Sequence, residues 1–145
     1  MGCGLAPVSY AFGTEERNGD MAASINPVGW FEIPVIDMAR AKSFYQTVLG
    51  ITLVDQQVGP LQMALFPVTE NAMGASGSLV KADGYAPSGT GVLIYFTTPD
   101  LDSAIQRSRD SGGTVVQDRM AISGYGFIAL VQDTEGNRIG LHSRE

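Results

Sequence analysis

WFEIPVIDMARAKSFYQTVLG, residues 30–50, changes its apolar period partway along. Trp30 to Ile36 reads as a strand. From Asp37 onward the apolar residues fall at Met38, Ala41, Phe44, Tyr45, Val48 and Leu49, the stripe of a helix with one buried face. Asp37 stands where an N-cap carboxylate accepts the unpaired amides of a first turn, and Gly50 stands where a left-handed residue ends a last one. Three strand-like runs follow, Ile51 to Asp55, Gln62 to Pro67 and Gly77 to Lys81, separated by turn signals at Gly59-Pro60, Glu70-Asn71 and Gly74. The order is strand, helix, three strands.

The same order returns downstream. Val92 to Thr97 reads as a strand, Asp100 caps a helix whose apolar face is Leu101, Ala104, Ile105 and Ser108, and Gly112-Gly113 ends it. Strands are expected at Thr114 to Gln117, Phe127 to Gln132 and Arg138 to His142. Trp30 and Leu93, Asp37 and Asp100, Ala41 and Ala104, and Gly50 and Gly113 are all 63 positions apart, an internal duplication. The expectation is an α+β fold of two βαβββ modules, about residues 27–86 and 90–145, forming a curved mixed sheet in one domain, 27–145. Each module presents a sheet with one apolar face and one helix. Two such faces bury each other or curl into a cup, so a cleft is expected.

At 145 residues and 44% hydrophobic, the chain suits one core. Residues 1–26 lack sustained periodicity and read as a loose tail, within which Met21 is an alternative start. Ala6 stands where a myristoylation signal carries Ser or Thr. No apolar run approaches the roughly 20 residues of a membrane span, and no basic-then-apolar leader is seen, so no membrane association is expected. The lone Cys3 excludes an intrachain disulfide and a cysteine-clustered zinc site, and a cytoplasmic location is expected. Net charge is −6, with no dense Lys or Arg run, which argues against nucleic acid. The acidity fits a cationic ligand and equally a well-solvated surface.

The opening stretch resembles the first strand and helix of domains of the glyoxalase / bleomycin-resistance / extradiol-dioxygenase (vicinal-oxygen-chelate) superfamily. The closing GYGFIALVQDTEGNRIGLH, residues 124–142, resembles their ending, with a Gly-Asn turn between the last two strands. The resemblance covers about residues 27–143. It implies metal positions in the enzymes of the family: a His in the first strand, its counterpart in the fifth, and a carboxylate in the last strand of each half. Carried over, these positions hold Trp30, Leu93, Ser78 and Gly140, so every expected ligand is missing. With one His in the chain, a two-His site within one chain is impossible; an oxygen-only magnesium or manganese site stays open. No cofactor and no transition metal are expected, and metal-dependent lactoylglutathione lyase activity is expected to be absent. The resemblance also implies a homodimer.

Strand alternation places Glu32 and Pro34 with Trp30, Tyr95 with Leu93, and His142 with Gly140. Glu32, His142 and Tyr95 thus become candidate catalytic residues, with a carboxylate among aromatic rings suited to proton transfer beside an imidazole. Trp30, Glu32, Ser78, Leu93, Tyr95, Tyr125, Gly140 and His142 form the candidate binding set. Other readings stay open. Glu32 equally suits a hydrogen bond to backbone or a basic side chain, His142 a half-exposed strand end, Tyr95 core packing, and Trp30 either core or a flat ligand. Tyr125, between two glycines, suits a tight turn or a segment closing over the cleft. Three functions follow: a protein that sequesters a small organic molecule, aromatic or cationic, without changing it; a metal-independent lyase or isomerase using Glu32 with His142 or Tyr95; or an interaction module whose sheet faces pair with another chain.

Overall fold

The computed structural model describes residues 26–145; the expected tail, Cys3 and Met21 lie outside the described residues. The elements in order are β1 (Trp30–Pro34), α1 (Met38–Leu49), β2 (Val54–Val58), β3 (Leu61–Leu65), β4 (Ser76–Lys81), β5 (Tyr95–Thr97), α2 (Leu101–Asp110), β6 (Thr114–Ile122), β7 (Gly126–Gln132) and β8 (Arg138–Ser143). The α+β arrangement of two βαβββ modules is present. Its strands form two four-stranded mixed sheets, ordered β1-β4-β3-β2 and β5-β8-β7-β6. In each sheet the first strand runs parallel to the last and the rest are antiparallel.

Both helices begin as their sequences require. Asp37 accepts the amide of Arg40 and Asp100 that of Ser103, each satisfying a first-turn donor. Gly50 ends α1 at φ +67°, a left-handed conformation that any side chain would strain. Arg107 on α2 donates to the carbonyl of Val48 at 3.1 and 2.8 Å, tying the second helix to the last turn of the first.

The helix-facing sides of both sheets meet in one core. Phe31, Tyr45 and Phe66 of the first module pack with Phe96 of the second, ring centroids 5.2 to 5.8 Å apart, and Ala41, Leu79, Leu101, Ala129 and Leu141 are sealed around them. A smaller cluster, Met63, Leu65 and Val80, lies apart from this core, with Trp30, Leu61 and Tyr85 packed against it.

Several boundaries differ from expectation. Strand β2 starts at Val54, not Ile51, because Gln46 holds the helix exit: its carbonyl takes the amide of Ile51 and its side-chain oxygen that of Leu53. Strand β5 starts at Tyr95, not Val92; pairing to β8 reaches back only to the Ile94 carbonyl, which accepts the Gly140 amide, so Leu93 precedes the strand and Val92 is 89% exposed. Strand β6 continues past Gln117 to Ile122 through two register shifts, which leave Asp118 and Arg119 free to meet Arg109 and Asp102 on α2.

Candidate functional site

A cleft of about 430 Å3 opens beside β1. One wall is β1 itself, with Trp30, Glu32 and Pro34; the facing wall is the segment between the modules, with Ser88, Val92 and Ile94; Asn137, Arg138 and Ile139 at the start of β8 close the third side. Strand β1 ends its sheet, and among the described residues no further strand covers it here.

Side chains rather than backbone pairing hold these walls together. Asn137 Nδ2 donates to the carbonyl of Pro34 at 2.8 Å, while Asn137 Oδ1 accepts the amide of Ser88 at 3.0 Å. Asn137 is itself fixed by Asp133, whose Oδ1 takes the amides of Glu135 and Asn137 and whose Oδ2 takes the Asn137 amide nitrogen and the Tyr45 hydroxyl. Burial first, then the charge of Asp133 and its hydrogen bond, raise the Tyr45 phenol well above its usual range, so it stays a donor. Glu135 completes the turn. Its carboxylate accepts the amides of Ile36 and Asp37 and two hydrogen bonds from Arg40. Burial pushes that carboxyl up, but the Arg40 bond, the two amides and the Thr134 hydroxyl outweigh it and bring it to about 2.

Glu32 is exposed at the cleft, and its partner is the hydroxyl of Tyr85. The negative charge of Glu32, then burial, then that hydrogen bond raise the Tyr85 phenol. Tyr85 also packs with Trp30 against Met63, Leu65 and Val80, so the inter-module segment lies over this face of the first sheet.

Of the sequence-derived candidates, the structure brings Trp30 and Glu32 together in the cleft. Ser78 is paired in register with Glu32 but fully buried, and its Oγ has no hydrogen-bond partner among the described residues. Leu93 is not among the residues lining the cleft; its neighbours Val92 and Ile94 are. Tyr95 and Gly140 are partners in the second sheet, the Tyr95 ring lying across the α-carbon of Gly140. His142 Nε2 lies 2.6 Å from the carbonyl of Tyr125. A carbonyl only accepts, so this nitrogen carries the proton. Tyr125 sits in a tight turn, its amide bonded to the Ile122 carbonyl, with its side chain 73% exposed. Sequence reasoning missed Ser88, Asn137 and Arg138, which line the cleft; only Asn137 gave a signal, as part of the Asp-x-x-Gly-Asn turn.

The four positions that the family resemblance assigns to metal ligands offer an indole, one buried hydroxyl, an aliphatic chain and a hydrogen. The strand register supports that assignment, pairing Glu32 with Ser78 and Tyr95 with Gly140 in the two modules. Among the described residues no three His, Cys, Asp or Glu side chains are grouped to hold a metal ion. This donor set does not fit a transition metal.

Residues 27–141 match the family model described as Glyoxalase/Bleomycin resistance protein/Dioxygenase superfamily. Among solved structures, a glyoxalase/bleomycin resistance protein from Streptomyces sp. CB03234 is similar at 28% identity and TM-score 0.58, over 79% of this chain and 97% of that one. TnmS3, an antibiotic binding protein from the same organism, is similar at 27% identity and TM-score 0.58, over 84% of this chain and 98% of that one. Glyoxalase I from Zea mays shares the fold at 18% identity and TM-score 0.58; this chain is covered over 79% but spans only 45% of the maize chain. A comparison with curated proteins finds no match.

Proposed function

This chain belongs to the glyoxalase/bleomycin resistance/dioxygenase superfamily, and from that premise we propose that its cleft takes up a small organic molecule and holds it unchanged, in the manner of a sequestration or resistance protein. The observation that carries the reading is the lining. A cavity of about 430 Å3 is lined by Trp30, Pro34 and Ile94 beside a few polar residues, Glu32, Ser88, Asn137 and Arg138. Small-molecule sites combine a mostly apolar wall with a few placed polar groups in volumes of roughly 300–1,000 Å3. The likeness to TnmS3 supports the same reading. Trp30 and Glu32 are the proposed ligand contacts from the first module.

The alternative, a lyase or isomerase passing a proton between Glu32 and His142 or Tyr95, has less support. Glu32 is engaged by Tyr85, and the His142 ring by the backbone carbonyl of Tyr125 in the turn between β6 and β7. No helix among the described residues is long and apolar enough to cross a membrane; the cytoplasmic location is part of the proposal. So is a homodimer, supported by exposed apolar side chains on the outermost strands of both sheets, Val54 and Val58 on β2 and Val116 and Met120 on β6. Sedimentation at the monomer mass would remove the homodimer.

The test of the proposal is a thermal-shift screen of aromatic and cationic compounds, followed by mass analysis of each stabilising compound after prolonged incubation. Stabilisation with the compound recovered intact is the expected result. Recovery of a product at more than stoichiometric amounts would move the function to the enzyme reading.

A further inference from the structure

The cleft holds two opposite charges that form no ion pair among the described residues. Glu32 on β1 and Arg138 on β8 both line it, and both are exposed. The ion pairs among the described residues are Arg40 with Glu135, Lys42 with Asp55, Arg109 with Asp118 and Arg119 with Asp102; neither cleft charge takes part. Four other arginines among the described residues have work within the fold. Arg40 grips a buried carboxylate, Arg107 a helix-end carbonyl, Arg109 an aspartate, and Arg119 lies 4.0 Å over the ring of Phe127. Among the described residues the Arg138 guanidinium has no such partner, and Glu32 has the neutral Tyr85 hydroxyl.

An unpaired charge facing a cleft selects by repulsion as well as attraction. A purely cationic ligand drawn to Glu32 meets Arg138, and a purely anionic one drawn to Arg138 meets Glu32 in a chain whose net charge is −6. A ligand with both signs satisfies both. The guanidinium presents a planar fork of donors that matches a carboxylate, and Glu32 accepts from an ammonium. The surface on the same cleft is apolar, with Trp30 able to lie against a flat ring. Resting on the small-molecule reading above, we infer that this cleft selects zwitterions, flat apolar molecules whose ammonium meets Glu32 and whose carboxylate meets Arg138.

A matched series tests this on the full chain by calorimetry: 2-naphthylalanine (zwitterion), 2-(2-naphthyl)ethylamine (cation), 3-(2-naphthyl)propionate (anion) and 2-(2-naphthyl)ethanol (neutral). The zwitterion is expected to bind about five- to tenfold more tightly than either singly charged compound, the gain of one charge-assisted contact in a half-open site. Glu32→Gln removes the advantage of the zwitterion over the anion, and Arg138→Gln removes its advantage over the cation. Equal binding of all four compounds overturns the zwitterion inference and leaves small-molecule uptake standing. Absence of binding by every member of the series, with no compound found by thermal shift, overturns both.

Discussion

Arg40 and Glu135, 95 positions apart in sequence, meet with Nε 2.7 Å from Oε2. The Glu135 side chain is wholly shielded from solvent, and the same carboxylate takes the amides of Ile36 and Asp37. A buried carboxylate with this many donors binds the exit of β1 and the start of α1 to the turn before β8, beside the cleft. Held at about 2 in the folded chain against an ordinary value of 4.5, Glu135 stabilises the fold fully above about pH 4.5. That stabilisation is lost as pH falls toward 2, and amounts to roughly 3 kcal/mol. Urea unfolding followed from pH 7 to 2 should show this loss in the wild type. Glu135→Gln should be less stable at pH 7 and show a shallower acid limb; parallel pH profiles would contradict the assignment.

Gly140 is required by Tyr95. A Cβ at Gly140 would lie 2.3 Å from the Tyr95 ring, closer than any real contact. Gly140→Ala should therefore cost about 1–3 kcal/mol through overpacking, and adding Tyr95→Ala should recover most of it. A Gly140→Ala variant that melts with the wild type would show that the ring does not lie there.

His142 holds the turn at Tyr125 in this structure. His142→Ala should cost about 1 kcal/mol, the loss of one hydrogen bond. The variant should bind cleft ligands with unchanged affinity. A large loss of binding, or of any turnover, with stability intact would restore a functional role.

Ser78 Oγ is buried without a partner among the described residues, and such a hydroxyl carries a desolvation cost with nothing to offset it. Ser78→Ala should leave thermal stability unchanged or raise it by about 1 kcal/mol. Clear destabilisation would reveal a hydrogen bond that this geometry lacks.

The parts of the fold that local chemistry dictates were legible in the sequence. Asp37, Asp100 and Gly50 do what their side chains and positions require, and the helix stripes from Met38 to Val48 and from Leu101 to Ser108 are the buried faces observed. The duplicated pattern carried the two-module arrangement. Boundaries failed where a distant or side-chain acceptor intervened, as with Gln46 at the entrance to β2. The candidate site was legible only on β1, where alternation put Glu32 with Trp30 and both line the cleft. Its other walls depend on Asn137, whose partners Ser88 and Pro34 lie 49 and 103 positions away, and on Arg138, which reads locally as an ordinary solvated strand end. Alternation carried forward from Leu93 to Tyr95 had no strand to start from, because the strand begins at Tyr95, and Val92 and Ile94 line the cleft.

Trp30 is the sole tryptophan of the chain and lines the cleft, so its emission reports occupancy directly. Compounds that raise the melting temperature should be titrated at constant protein concentration while that emission is followed. A saturable change reaching its end point at one molecule per chain is expected. Stabilising compounds that leave Trp30 emission unchanged would contradict uptake between the two sheets.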